Sequence, residues 1–298
     1  MGLDTNGIKF LLYARSIGVR FNKIAMIGRQ NLDLSANELK TIINEYGLTI
    51  DLQQARNLLS QSKGYAEPLL QWLGAEHAHS FDYSAYENAT YLCDMNSEIA
   101  DNFKNQYSIV LDGGSLEHVF NLPVAFKNCM EMLQTGGYYL GISPANNFFG
   151  HGFYQFSPEL FFSIFTSKNG FEIIDLIAFE DMPGATWYSV QNPSQIGKRV
   201  TLANRIPVYL LVIARKMRET EIFKNMPQQS DYQTVWKSVE SPQRLLSKNL
   251  SMHALSIATE IRRYIPSKLK QKLTRMLKGH VFGFSEKFFK VTRPTKRP

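Results

Sequence analysis

Tyr107-Ser-Ile-Val-Leu-Asp-Gly-Gly-Ser-Leu-Glu-His-Val119 is the stretch whose reading decides the fold. Tyr107 to Leu111 is a short apolar run of β-formers, as expected of a strand buried on both faces of a parallel sheet. Asp112-Gly113-Gly114 stops the run. Asn121 and Pro123 then open a helix that carries Phe126, Met130 and Leu133 on one side. Gly136-Gly137 closes that helix in this reading, and Tyr138 to Ile142 is a second strand. Strand, polar turn, helix and strand make a βαβ unit. Ligands of open α/β sheets sit beyond the carboxyl ends of the strands. The pattern therefore puts Asp112, Ser115, Glu117 and His118 at the ligand edge.

The flanking sequence extends the same alternation. Gly7 to Ile17 reads as a helix and Lys23 to Ile27 as the first strand, ending at Gly28-Arg29-Gln30. Ser35 with Glu38 forms a capping box that starts a helix running to about Tyr46. Asp51 to Ser60 and Glu67 to Leu73 read as two more helices. Ser80 to Asp82 and Thr90 to Cys93 are short strands, the second followed by Asp94. Ser143 to Phe156 is a loop dense in glycine, asparagine and aromatics. Ser157-Pro158 opens a helix, and Phe171 to Phe179 is a strand. Glu180 to Asn204 reads as a long irregular segment, and Val208 to Ala214 as the final strand.

Two motifs carry a family resemblance. Asp112-Gly-Gly-Ser-Leu-Glu-His-Val119, followed by Met132-Leu-Gln-Thr-Gly-Gly137 before a strand, resembles the later half of class I S-adenosylmethionine (SAM) dependent methyltransferases. Many of these carry Leu-Glu-His-Val after strand four and Leu-Lys-Pro-Gly-Gly before strand five; here Gln134-Thr135 replaces Lys-Pro. The likeness spans about residues 20–215 and includes small-molecule and sugar methyltransferases of the type 11 and FkbM-like kinds. It implies a Rossmann-like, doubly wound α/β sheet, mostly parallel, with seven strands of which the last, Val208 to Ala214, runs antiparallel. It also implies SAM as cofactor and methyl transfer as the activity.

The resemblance distributes roles along the ligand edge. The turn after strand one would approach the methionine part of SAM. The family's acidic-x-Gly-x-Gly-x-Gly is here Met26-Ile27-Gly28-Arg29-Gln30-Asn31, with one glycine and no acid. Gly28, Arg29 and Gln30 are the candidates there, Arg29 by a bidentate contact to the SAM carboxylate; an ordinary surface arginine is the competing reading. Asp82 would accept from the ribose hydroxyls, although its distance from Gly28 requires inserted helices between residues 31 and 78. Asp94 would meet the adenine amine, with Met95 packed on the ring; turn-capping roles compete for both aspartates. Asp112 and Gly113 complete the cofactor set. For chemistry, His151 in Phe148-Phe-Gly-His-Gly-Phe-Tyr154 and His118 are the candidate bases, since imidazole titrates near neutral pH. Glu117 is expected to contact backbone or cofactor. Aromatics of the 148–156 loop, with Trp187 and Tyr188, offer a flat face for a sugar or other small acceptor. No closely spaced set of four Cys and His marks a structural metal site, and Cys93 and Cys129 read as reduced thiols of a cytoplasmic protein.

Charge divides the chain. The 298 residues carry a net charge of +7. Residues 241–298 hold 14 bases against 2 acids, whereas residues 1–240 hold 19 against 24. The expected organisation is a methyltransferase domain over 1–215, then a linker and basic tail over 216–298. Within the tail Ile257, Ile261, Ile265, Leu269, Leu273 and Leu277 recur every four residues, a stripe suited to a helix that Pro266 interrupts. A basic amphipathic segment with aromatics over residues 254–298 suits an anionic membrane surface; a docked helix with a solvated basic face competes, and nucleic acid is disfavoured because no nucleic-acid module accompanies it. No apolar run approaches the ~20 residues that span a bilayer. Two other functions remain open at this point: a non-catalytic scaffold that kept the fold, supported by the degenerate turn at Gly28, and a nicotinamide oxidoreductase, which the missing Gly-x-Gly-x-x-Gly disfavours.

Overall fold

The computed structural model of the chain describes residues 2–232 and 283–292. The amphipathic stripe expected at 254–279 lies outside the described residues. The chain opens with β1 (Gly2–Leu3) and α1 (Thr5–Ser16), the helix capped by Asp4, whose carboxylate accepts from Gly7 N at 2.8 Å. Next come β2 (Lys23–Ile27) and β3 (Asn31–Leu32), the latter pairing in parallel with β1. Three helices fill the interval before the next strand: α2 (Ala36–Glu45), α3 (Leu52–Ser62) and α4 (Glu67–Trp72). The Ser35–Glu38 capping box forms as expected, and Asp51 with Gln54 makes a second one on α3. Then follow β4 (His77–Asp82), β5 (Tyr91–Leu92), β6 (Tyr107–Asp112), α5 (Leu122–Met132) and β7 (Leu133–Asn146). The second half holds α6 (Pro158–Ile164), β8 (Phe171–Glu180), β9 (Trp187–Val190), α7 (Pro193–Ile196), β10 (Val208–Lys216) and β11 (Phe289–Thr292).

Among the described residues nine strands form one sheet in the order β11-β9-β8-β10-β7-β6-β2-β4-β5. The run β7-β6-β2-β4-β5 is parallel, and β10 inserts antiparallel between β7 and β8. This is the Rossmann-like order with the antiparallel strand that the resemblance implies. Strand order reverses between β2 and β6, which fixes the switch point at the ends of Ile27 and Asp112. Successive residues of a strand face opposite sides, so the sheet has two cores. Ile24, Met26, Ile109 and Leu111 pack with α1 to α4 on one face. Ala25, Ile27, Val110 and Tyr139 pack with the α5 and α6 side on the other. All six residues of β6 are buried, as a central parallel strand requires.

Four expectations are corrected. The sheet has nine strands, not seven, because β9 and β11 extend its edge beyond β8. Accordingly Val208–Lys216 is not the last strand, and the segment Glu180 to Asn204 is not wholly irregular but contains β9 and α7. The double glycine does not close a helix. α5 ends at Met132 and β7 starts at once; Gly136, at φ +85°, and Gly137 lie where the β6–β7 register jumps from the Tyr107–Leu133 pair to the Ile109–Tyr138 pair. A Cβ on Gly137 would sit 3.0 Å from Tyr107 O, so the bulge needs a bare backbone there.

Lys216 closes the end of the sheet away from the switch point. It is 3% exposed, and its ammonium donates to Leu133 O and Asn105 Oδ1, both at 2.7 Å. Replacing Lys216 with Met keeps the packing volume and leaves the buried Leu133 O without its donor, whereas the exposed Asn105 can turn to water. We expect a loss of roughly 1–3 kcal/mol in stability, read by urea unfolding as a lower midpoint at unchanged slope. An unchanged midpoint would show that Leu133 O finds another donor.

Candidate functional site

The ends of β2 and β6 build the floor of a cleft. Gly28 follows β2 at φ +69°, and its N–H donates to Phe81 O at 2.8 Å. A Cβ on Gly28 would meet the Ser115 hydroxyl at 2.5 Å, so glycine is required both for the turn and for the approach of the β6 turn. Ser115 Oγ donates to Ile27 O at 2.7 Å, joining the two strand ends. Gln30 is 1% exposed; its amide donates to Ile27 O at 2.8 Å, and its side chain fills the space between Gly28 and Gly113. Above this floor lies a cleft of about 490 Å³ walled by Gly28, Arg29, Asp82, Asp94, Met95 and Ser115 with neighbours, and ending at His118. A larger hollow of about 800 Å³ lies at the opposite end of the sheet, around Gly170, Met217 and Arg218, away from the switch point.

The candidate cofactor residues divide into walls and foundations. Asp82 ends β4 in the cleft, with Oδ1 accepting from Ser84 N at 3.1 Å. Asp94 is in the wall too and also caps its own turn, accepting from Asn96 N at 2.9 Å and Asn96 Nδ2 at 2.8 Å. Met95 is buried beneath it. Arg29 is committed to protein contacts. It pairs with Glu67 at 2.7 Å, donates to Glu87 O at 2.8 Å and stacks on the Tyr65 ring at 3.8 Å. Asp112 lies beneath the cleft and accepts from Ser115 N at 2.9 Å, Leu116 N at 3.3 Å and Tyr139 OH at 3.1 Å. Burial raises its carboxyl above the usual range, and these bonds oppose the rise. Gly113 faces Gln30 and a separate hollow shared with Asp4, Asp33 and Asp181.

The two candidate histidines meet at the end of the cleft. Loop 147–156 folds back on the 3₁₀ turn Leu116–His118: Phe153 N and Tyr154 N donate to Glu117 O at 2.8 and 3.3 Å. A Cβ on Gly152 would stand 2.8 Å from that oxygen, so the docking requires glycine. As a result His151 Nε2 lies 3.4 Å from Glu117 Oε1, and the His118 and His151 rings are 5.0 Å apart. Glu117 is fully buried, and neither of its oxygens nor His151 Nε2 has a hydrogen-bond partner. Burial, with the Asp112 charge second, holds the Glu117 carboxyl well above the usual carboxylate range. Burial, and then His151, lowers His118. Sequence reasoning expected Glu117 to touch backbone or cofactor. Its carbonyl does take backbone bonds, but its carboxyl faces His151. The Glu-His pair at 117–118 was the visible signal; the folding-back that adds His151 depends on Gly152.

The aromatics of the loop split between roles. Phe156 is buried and Phe148 packs on Tyr209 at 4.6 Å. Phe153 and Phe120 pair at 5.6 Å and stay 65% and 71% exposed, a ledge beside the histidines. Trp187 is buried in the sheet, and Tyr188 stacks on Phe284 at 4.0 Å.

No protein-family model and no curated protein matches the chain. Among solved structures it is similar to TehB from Haemophilus influenzae, at 15% identity and a TM-score of 0.35 over 70% of this chain and 61% of that one. It is similar to the N-methyltransferase NodS from Bradyrhizobium japonicum, solved with S-adenosylhomocysteine, at 10% identity and a TM-score of 0.37 over 71% of this chain and 85% of that one. It is also similar to the 1,6-didemethyltoxoflavin-N1-methyltransferase of Burkholderia thailandensis, solved with its substrate and S-adenosylhomocysteine, at 10% identity and a TM-score of 0.40 over 72% and 80%. The chain thus spans less than two thirds of the length of TehB.

Proposed function

We propose that this chain is a SAM-dependent methyltransferase acting on a small acceptor. The observation that carries the reading is the cleft at the switch point, which runs from a wall of Asp82, Asp94 and Met95, past Gly28, to His118. Its volume of about 490 Å³ suits a nucleoside-sized ligand. Asp82, at the end of the strand next to β2, is placed to accept from both ribose hydroxyls. Asp94 and Met95 supply an acceptor and an apolar surface for the base. Bound SAM supplies a methyl group on a sulfonium: the acceptor attacks that carbon, the carbon–sulfur bond breaks, and S-adenosylhomocysteine leaves. Alignment supplies most of the acceleration. The protein's further task is to take the acceptor's proton, and the cluster of Glu117, His118 and His151 at the end of the cleft would do so in this reading. With the imidazoles unliganded, His151, which faces the buried Glu117, is the base in this reading, and His118 is the second candidate.

A hydroxyl of a sugar or glycan precursor is the acceptor we favour. Phe120 and Phe153 form an exposed aromatic ledge beside the histidines, and sugar faces pack well on such rings. A scaffold without cofactor remains the second reading, favoured by Gln30 filling the space between Gly28 and Gly113 and by the pairing of Arg29 with Glu67. The basic excess of residues 241–298 supports a peripheral place at an anionic membrane surface, on the cytoplasmic side where lipid-linked precursors are assembled.

Three outcomes test these readings. Titration of the full chain with SAM should show one site, and Asp82→Ala should weaken it by about 1.5–3 kcal/mol; a full chain that takes neither SAM nor S-adenosylhomocysteine is the scaffold. His151→Ala should leave SAM affinity in place and lower turnover on the acceptor ~10²–10⁴-fold, whereas full turnover would make His151 a loop residue only. The full chain should sediment with anionic but not neutral vesicles at low salt and be released by added salt. Changing Lys268, Lys270 and Lys272 to Ala should reduce the bound fraction, and indifference to anionic vesicles would remove the membrane from the reading.

A further inference from the structure

Glu117, His118 and His151 offer one carboxylate oxygen and two imidazole nitrogens, and these ligand atoms all lie within 4.8 Å of one another. We propose that the cluster binds one divalent first-row transition-metal ion, which takes the acceptor's oxygen as a further ligand. The inference rests on the placing of the acceptor at this end of the cleft, and it changes the work of the two histidines from bases to ligands.

The first support is an orphaned carboxylate. Glu117 is 0% exposed and both its oxygens lack a hydrogen-bond partner, as does the buried Nε2 of His151 facing it. Buried polar atoms are normally satisfied, because an unpartnered one keeps the full cost of its lost hydration. A cation between Glu117 Oε1 and His151 Nε2 would satisfy both of these facing atoms at once. Distance is the second support. The 3.4 Å between Glu117 Oε1 and His151 Nε2 is the separation of two atoms each ~2.1 Å from a tetrahedral ion. His118 is the exposed member, so its ring has room for the small rotation that completes the set.

Donor chemistry narrows the ion. Two imidazoles and one carboxylate form the set of catalytic zinc and of open-sited iron; magnesium and calcium prefer oxygen ligands throughout. Three protein ligands leave at least one position open. His118 belongs to the cofactor cleft wall, so that open position adjoins the methyl donor. An ion there lowers the pKa of a hydroxyl bound to it. The acceptor's proton then passes to solvent, its oxygen forms the new bond to the methyl carbon, and the carbon–sulfur bond breaks. The site is also held from behind, since the backbone bonds from Phe153 and Tyr154 to Glu117 fix the loop that delivers His151.

The test is calorimetry of the metal-stripped full chain with ZnCl₂ and, separately, MnCl₂. One site is expected, weakened about tenfold or more in Glu117→Gln and in His118→Ala. His118 is exposed, so its variant reads the site even if Glu117→Gln folds poorly. His77→Ala serves as control, because the stacked His77–His79 pair on β4 is a rival imidazole site; it should leave the affinity unchanged. Absence of binding, or equal affinity in His118→Ala, overturns the proposal. SAM is titrated into the same samples: a chain that binds SAM but no ion keeps the methyltransferase reading and loses the metal, and a chain that binds the ion but not SAM does the reverse.

Discussion

One hydroxyl holds the switch point together. Ser115 Oγ, donating to Ile27 O at 2.7 Å, spans the two strand ends between which the sheet changes direction. Everything on the ligand edge is referenced to that bond. It brings Ser115 against Gly28, which must then be glycine. It also sets the phase of the short 3₁₀ turn that follows, so that Glu117 points inward and His118 toward the cleft. Asp112, buried below, fixes the same turn from the other side through Ser115 N and Leu116 N. Sequence reading places Asp112 beside the cofactor; in the structure its oxygens are engaged in holding up the floor.

Much of the architecture was legible because it is locally encoded. The five parallel strands, the Ser35–Glu38 capping box and the βαβ unit follow from periodicity and from residues a few positions apart. The segment between Gly28 and Asp82 had to contain inserted helices, and α2 to α4 are there. What was not legible depends on partners distant in sequence. Trp187–Val190 reads as part of an irregular segment, because a four-residue strand at an edge has little pattern of its own. It becomes a strand by pairing with β8 and with residues almost a hundred positions later. Gly136-Gly137 reads as a helix end, and only the β6–β7 register shows a bulge.

At the site the residue types were legible and their environment was not. Glu117, His118 and His151 each stand out in the sequence. That the glutamate would be fully buried, without a hydrogen-bond partner and facing the second histidine, is decided by how closely loop 147–156 can approach its carbonyl. Gly152 permits that approach. Desolvation then does the rest, since the same carboxyl on an open surface would have an ordinary affinity for protons and little for anything else.

The pairing of β11 with β9 gives the basic part of the chain a particular mechanical status. β10 ends at Lys216 and β11 begins at Phe289, three strands away in the sheet. Those two strands lie ~14 Å apart across the sheet, at ~4.8 Å per strand. A load on β11 is therefore carried to β9, its hydrogen-bonded neighbour. Shortening the chain from its C-terminus would remove β11 first and leave β9 as an open edge with unpaired backbone groups, ready to pair with another molecule.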